Sequence, residues 1–173
     1  RIREQARIDG LTGLGNRSAL DECLAERSAD WDKEGLSFSL AILDLDHFKH
    51  INDEYGHGMG DQVLSAAANA FTRISRPCDS LFRYGGDEFV AIIRGEDSSD
   101  ALQIIQRMVE SVEGIVLAST TGEIRITCSA GLVRPSASVS ILEPSQVLEF
   151  ADRALYHAKR QGRNRAVLYS DFL

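Results

Sequence analysis

The sequence is short of cysteine, and the cysteines it has are badly placed for bonding. Cys23, Cys78 and Cys128 are odd in number and far apart, with no CxxC pair. That pattern excludes a standard zinc site and argues against a disulfide framework, so a reducing cytoplasm is the expected setting for this domain, whatever anchors a longer chain. Long apolar runs are missing too. None approaches the ~20 residues of a membrane span, and no signal-peptide pattern is present. Positive charge is in deficit: 19 Lys and Arg stand against 26 Asp and Glu, for a formal net charge of -7. A duplex nucleic-acid binder needs a basic surface, so no nucleic-acid partner is expected, although this balance leaves room for a small basic pocket. Repeats, low-complexity tracts and Pro/Gly-rich linkers are also absent, which leaves one domain as the simplest organisation.

What is present is average for a globular protein: 173 residues, 43% hydrophobic and 26% charged. A chain near ~150 residues buries about 70% of its unfolded surface, enough for a sizeable core. The chain opens on Arg1 rather than Met, and "RIREQARI" is charged and helix-permissive. Residues 1–8 are therefore expected to end an upstream helical linker to a module outside this chain, with a single domain over 9–173.

Apolar spacing gives the element order. Asn16 caps an expected helix with Ala19, Leu20, Cys23 and Leu24 on one face. "FSLAILDLD" is a near-continuous apolar run, as in a central strand covered on both faces. After a polar, Gly-rich loop, Asp61 is expected to open a helix carrying Val63, Leu64, Ala67, Phe71 and Ile74. In "LFRYGGDEFV", Leu81 to Tyr84 and Phe89 to Arg94 read as strands of a hairpin turning at Gly85-Gly86. A further helix carries Ala101, Leu102, Ile105, Met108, Val109 and Val112. "EIRITCSAGLV" reads as one strand, preceded by a Thr-Thr-Gly turn and a short partner strand around Ile115 to Leu117. Pro144 starts a last helix with Val147, Leu148, Ala151, Leu155 and Ala158, and Gly162 stops it. "AVLY" closes the sheet. The expected fold class is α/β (α+β), a mixed or antiparallel central sheet flanked by helices, in a split βαβ arrangement of the palm type.

The hairpin raises a chemical question. Asp87 and Glu88 follow its glycines at once, ahead of an apolar run, and two such acids cost solvation energy unless a cation meets them. Asp44 and Asp46 end the first strand and are read as facing opposite sides, leaving one for any given site. Packing that strand beside the hairpin brings Asp44 or Asp46 near Asp87. Two carboxylates and a backbone carbonyl form a hard oxygen site suited to Mg²⁺, and Mg²⁺ with carboxylates and a nearby Lys serves phosphorus chemistry. Solvated strand ends are the plainer alternative.

Four segments, "DGLTGLGNR", "DLDHFKHINDEYGHGMGD", "RYGGDEF" and "ADRALYHAKRQGRNR", resemble in order the signature segments of the GGDEF family, the diguanylate cyclases of bacterial signalling. The resemblance covers residues 9 to 170. It implies a catalytic domain whose βααββαβ core is similar to the nucleotidyl cyclase and polymerase palm, condensing two GTP into cyclic di-GMP with release of two pyrophosphates. By the same resemblance the metal ligands are Asp44, the Leu45 carbonyl and Asp87, holding Mg²⁺ (with Mn²⁺ as a substitute) against a triphosphate. The family takes Asp or Glu at the position of Asp87, which is also the implied proton acceptor for the 3′-hydroxyl, with Glu88 in support. Asn52 and Asp61 match the guanine-reading positions, and His57 a position lining the nucleotide. The Phe48 amides and Lys49 match the phosphate cradle, with Lys49 also placed to stabilise transition-state charge. Lys159 and Arg163 match further phosphate contacts. Arg76 and Asp79 of "RPCD", with Arg107, match an inhibitory product site, so cyclic di-GMP is expected as both product and inhibitor, and a homodimer of half-sites as the working form.

Each residue also has a plainer reading. Asp61 is a good helix cap, His57 a polar turn residue, and Lys159 and Arg163 favour a helix C-terminus at roughly 0.3–1 kcal/mol each. "RPCD" alone reads as a solvated turn. Gly13, Gly15 and Asn16 read as a structural turn without chemistry. A catalytically silent sensor binding GTP or cyclic di-GMP is the alternative function, and a ferredoxin-like interaction domain a third, which leaves the polar motifs unexplained.

Overall fold

The computed structural model describes residues 7–95, 97–135 and 143–169. The run Phe38–Leu45 forms β1, and every residue of it is buried. A strand covered on both faces must read as continuously apolar, and this one does until Asp44. It sits at the centre of a mixed sheet ordered β2-β3-β1-β6-β7, built from Ser80–Gly85 (β2), Glu88–Arg94 (β3), Cys128–Val133 (β6) and Ala166–Leu168 (β7). All neighbours pair antiparallel except β6 and β7. Val116–Ser119 (β4) and Gly122–Arg125 (β5) make a separate two-stranded ribbon.

Helices cover both faces. Alternate β1 residues Leu40 and Ile42 join a core with Leu20 and Leu24 of α1 (Arg17–Glu34) and Val147, Ala151 and Leu155 of α5 (Pro144–Arg160). Ala41, Leu43 and Leu45 face the other core, with Val63, Ala67 and Phe71 of α3 (His57–Ile74) and Ile105 and Val109 of α4 (Ser98–Glu113). Full burial of a side chain such as Phe71 is worth about 1.5–3 kcal/mol, so two such cores hold the sheet in place. With Phe48–Tyr55 as α2, the core order β1-α2-α3-β2-β3-α4-β6 is the expected βααββαβ arrangement.

Local chemistry sets the element ends. The Asn16 side chain accepts from the Ala19 N–H and caps α1 as expected. At the end of α5, Arg163 N–H donates to the Ala158 carbonyl and Gly162 N–H to that of Lys159, the two bonds of a Schellman motif. Gly131 lets α5 lie directly on β6. A Cβ there would sit 2.1 Å from Leu155 N and 2.2 Å from Ala151 O.

Four expectations are corrected. Phe48–Tyr55 is a helix, α2, and not a loop; Phe48 and Ile51, one turn apart, bury its inner face. Consequently α3 begins at His57, and Asp61 lies a full turn inside it, where it caps nothing. The hairpin turns at Gly86-Asp87 and not at Gly85-Gly86: Gly85 pairs with Glu88, and a bulge between Arg83 and Gly85 takes up the extra residue. "EIRITCSAGLV" breaks at Ile126-Thr127 into β5 and β6, which belong to different sheets.

Most of the expected linker end at 1–8 lies outside the described residues. Ile8 is described, and it bridges to Gly15, which in turn bridges to Phe82. Residues 8 to 16 thereby shield the free edge of β2. No helix among the described residues is long and apolar enough to cross a membrane.

Candidate active site

Three acids meet where β1 ends beside the hairpin. Asp44 stands directly opposite Glu88 in the antiparallel register, and Leu45 N–H donates to the Asp87 carbonyl at 3.3 Å. Like charges facing across a ladder repel. Burial, then the neighbouring Asp87 carboxylate, raises the Asp44 carboxyl above its ordinary value; burial, then Asp44 and Asp87, does the same to Glu88. Asp152, on α5, adds its charge to Glu88 as well. Lys159 answers them, its Nζ 3.1 Å from Asp44 Oδ1. One ammonium against four carboxylates leaves the cluster short of positive charge.

The expectation that Asp44 and Asp46 face opposite sides is wrong: residues two apart in a strand share a face, and Asp46, in the turn just after β1, meets the Ser129 hydroxyl, whose residue stands opposite Asp44 in the ladder. Their partners separate them. Asp46 is buried and accepts from Thr127 Oγ1 at 2.7 Å, Ser129 Oγ at 2.7 Å and Asn164 N–H at 3.2 Å. Its oxygens are committed inside the protein, whereas Asp44 shares its own with a single lysine.

The donor set fits a hard divalent cation. The implied ligands Asp44, Leu45 carbonyl and Asp87 are all oxygen and lie together. Among the described residues no three His, Cys, Asp or Glu side chains close around a metal by themselves. Two carboxylates and one carbonyl would leave such an ion positions for water and substrate oxygens.

The other expected residues lie on α2, on α3 and in the turn after α5. Phe48 is buried and Lys49 exposed in the first turn of α2, just beyond His47, whose φ of 57° turns the chain into the helix. Asn52 and Asp61 sit on α2 and α3, and the two helices touch at Gly60, where a Cβ would come within 1.9 Å of Asn52 Oδ1. Gly60 thus makes the room that Asn52 fills. His57 and Asp61 are exposed. Arg163 is exposed at φ 64°, without a side-chain partner among the described residues.

A second network holds the hairpin turn. Arg83 donates to the Gly86 carbonyl through Nη2 at 2.9 Å and pairs through Nη1 with Asp9 at 3.2 Å, and the Arg17 guanidinium lies 4.6 Å from the centre of the Tyr84 ring. Sequence reasoning missed Arg83, Asp152 and the Asp46 partners. The seven-residue spacing of Asp152 and Lys159, two turns on one helix face, was a readable signal for one of them.

Arg76 and Asp79 form a closed fork away from the hairpin. Asp79 accepts from Arg76 Nε at 3.1 Å and Nη2 at 2.8 Å, and Arg76 Nη2 also reaches the Arg94 carbonyl at 3.1 Å. Burial works against the Asp79 charge, but the Arg76 fork outweighs it and holds the carboxyl below its ordinary value. Arg107 is exposed on α4, and no contact joins it to Arg76 or Asp79 among the described residues.

A family model described as "Diguanylate cyclase, GGDEF domain" matches residues 6–165. Diguanylate cyclase DgcP of Pseudomonas aeruginosa is 38% identical over 163 residues, which are 94% of this chain and 24% of that protein. Diguanylate cyclase DgcS of Shewanella oneidensis is 38% identical over 160 residues, 92% of this chain and 52% of the relative. The chain thus spans between about a quarter and a half of these curated relatives. Among solved structures, the coiled coil and GGDEF domain of DgcB from Caulobacter crescentus, in complex with c-di-GMP, superposes with a TM-score of 0.88 at 37% identity, covering 96% of this chain and 87% of that one.

Proposed function

The chain belongs to the GGDEF family, and from that premise we propose that it condenses two GTP into cyclic di-GMP with release of two pyrophosphates. The observation that carries the proposal is the acid cluster of Asp44, Asp87 and Glu88, short of positive charge, at the hairpin that names the family. The ion it would hold is Mg²⁺ or Mn²⁺, on Asp44, the Leu45 carbonyl and Asp87, and a bound ion supplies charge to offset the triphosphate.

The chain's own groups do the rest. Asn52 and Asp61 bind guanine: a carboxylate accepts from the guanine N1–H and N2–H donors, a pair that adenine lacks, and His57 lines the same nucleotide. Lys49 and the Phe48 amides hold the β- and γ-phosphates and steady the charge that develops there. Lys159 and Arg163 add cationic contacts, Lys159 by leaving Asp44 for phosphate. Asp87 accepts the proton of the attacking 3′-hydroxyl.

One site holds one GTP and the product needs two, so the half-sites of two copies must face each other. Product inhibition belongs to the same proposal: Arg76 opens its fork to meet a guanine edge, Asp79 accepts from another, and Arg107 joins them. The single domain over 9–173, the helical linker before it, the sensory module upstream and a cytoplasmic setting complete the reading. Incubation with GTP and Mg²⁺ over a dilution series, with chromatography of the products, tests it. Cyclic di-GMP should form, with specific activity falling on dilution. GTP left unconsumed at every concentration would favour the silent sensor instead.

A further inference from the structure

The Asp46 network has no place in the chemistry above, yet it is an unusual thing to bury. Asp46 is 5% exposed, and its two oxygens meet three neutral donors: Thr127 Oγ1, Ser129 Oγ and Asn164 N–H. A buried carboxylate with no cation beside it among the described residues is an expensive way to satisfy two hydroxyls and one amide, since a neutral acceptor would do so with less desolvation. Its charge also adds to the repulsion already borne by Asp44.

The segment it grips is strained. Arg163 and Asn164 stand consecutively in the left-handed region, at φ 64° and 49°, and neither is glycine. Non-glycine residues in this region carry a conformational cost and persist only where their surroundings hold them. Asn164 Oδ1 is buried without a partner, a further penalty on the same turn. The opposing force on the Asn164 backbone comes from Asp46 and from Ser129 Oγ, which accepts the same N–H at 3.2 Å. A charge-assisted bond is about twice as strong as a neutral one, which is what a strained turn requires.

Arg163 is the residue this turn presents. The Schellman bond from its N–H to Ala158 O and the Asp46 bond to the next amide fix its backbone from both sides, while its side chain stays exposed and unpartnered among the described residues. We propose that Asp46 is a positioning residue that fixes the turn Gly162–Asn164, so that the Arg163 guanidinium is held ready for a substrate phosphate. The inference rests on the GTP reading and deepens it: Asp46 touches neither metal nor nucleotide, and acts through Arg163.

A thermodynamic cycle tests this with 3′-deoxy-GTP and Mg²⁺, a probe that carries the triphosphate and lacks the attacking hydroxyl. Arg163→Ala should weaken binding about 10-fold, as loss of one charged contact does, and Asp46→Ala by a comparable or smaller factor. The double variant should bind within about 2-fold of Arg163→Ala alone, because an aimed group that is gone cannot be misaimed. Losses that multiply in the double variant would overturn the proposal and leave Asp46 as a fold-stabilising residue. Should Asp46→Ala melt below the assay temperature, Asp46→Asn in the same cycle decides by the same criterion, with smaller losses. No binding by the unsubstituted chain would remove the GTP reading itself, and the positioning role with it; binding with multiplying losses removes only the role.

Discussion

The hairpin end of β1 and the Arg76-Asp79 corner are made of the same side-chain types and end in opposite states. At the hairpin, four carboxylates face one lysine, and Asp44 and Glu88 are pushed above their ordinary values. At the corner, Asp79 accepts from both arms of the Arg76 guanidinium in a bidentate fork, and is pulled below its ordinary value. The first cluster is in electrostatic deficit and gains by admitting a cation and its phosphates. In the second the carboxylate is already paired, so a ligand that took either partner would first have to open the fork against an opposing free energy. A site of the first kind suits turnover, and one of the second kind suits a threshold.

The largest expected effect breaks the first cluster. Asp87→Ala removes the proposed metal ligand and the proposed proton acceptor together, and product formation should fall at least about 10³-fold. Because Asp87 lies in the turn and outside the ladder, the melting temperature should hardly move. Near-normal turnover would show that the crowding of acids is incidental.

A smaller effect is expected where α2 meets α3. The Cβ of Gly60→Ala would fall 1.9 Å from Asn52 Oδ1 and displace that amide. Overpacking of this kind costs about 1–3 kcal/mol, and if Asn52 reads guanine, the affinity for GTP should fall with the stability. Calorimetry that finds the affinity unchanged would detach Asn52 from the nucleotide.

The smallest effect sharpens the second cluster. Asp79→Asn should lower stability at neutral pH by roughly 1 kcal/mol, the scale of one such bond. The sign follows from the shift: a carboxyl lowered on folding stabilises above its unfolded value of 3.8, and that contribution is lost as the pH falls through the lower folded value. Melting curves of the two proteins should therefore converge in acid. A gap that persists there would mean that the fork stabilises through packing and not through charge.

Sequence reasoning went furthest where one element carried its own signal. The Asn16 cap, the buried run of β1, the apolar stripe of α5 and its stop at Gly162 are all local, and each stands in the structure as read. Helix α2 was missed because Phe48 and Ile51 are its only buried residues among polar neighbours, too brief a stripe to outweigh the glycines nearby. The hairpin turn slipped by one residue because paired glycines are a strong turn signal, while the bulge that moves the turn depends on tertiary pairing. In the site, Asp44, Asp87, Glu88 and Lys159 were legible from their motifs, and Asp152 was not. The Asp46 network was not, since its bonds join residues 81, 83 and 118 positions apart.

The notch at Gly131 constrains how the domain moves. With strand and helix backbones in contact there, α5 is keyed to the sheet like a shaft in its slot: sliding or rolling would drive its backbone into the neighbouring strand. Lys159 and the turn after it therefore travel with β1 as a single casting. Lys159 therefore parts from Asp44 by turning its own side chain and not by a shift of the helix that bears it.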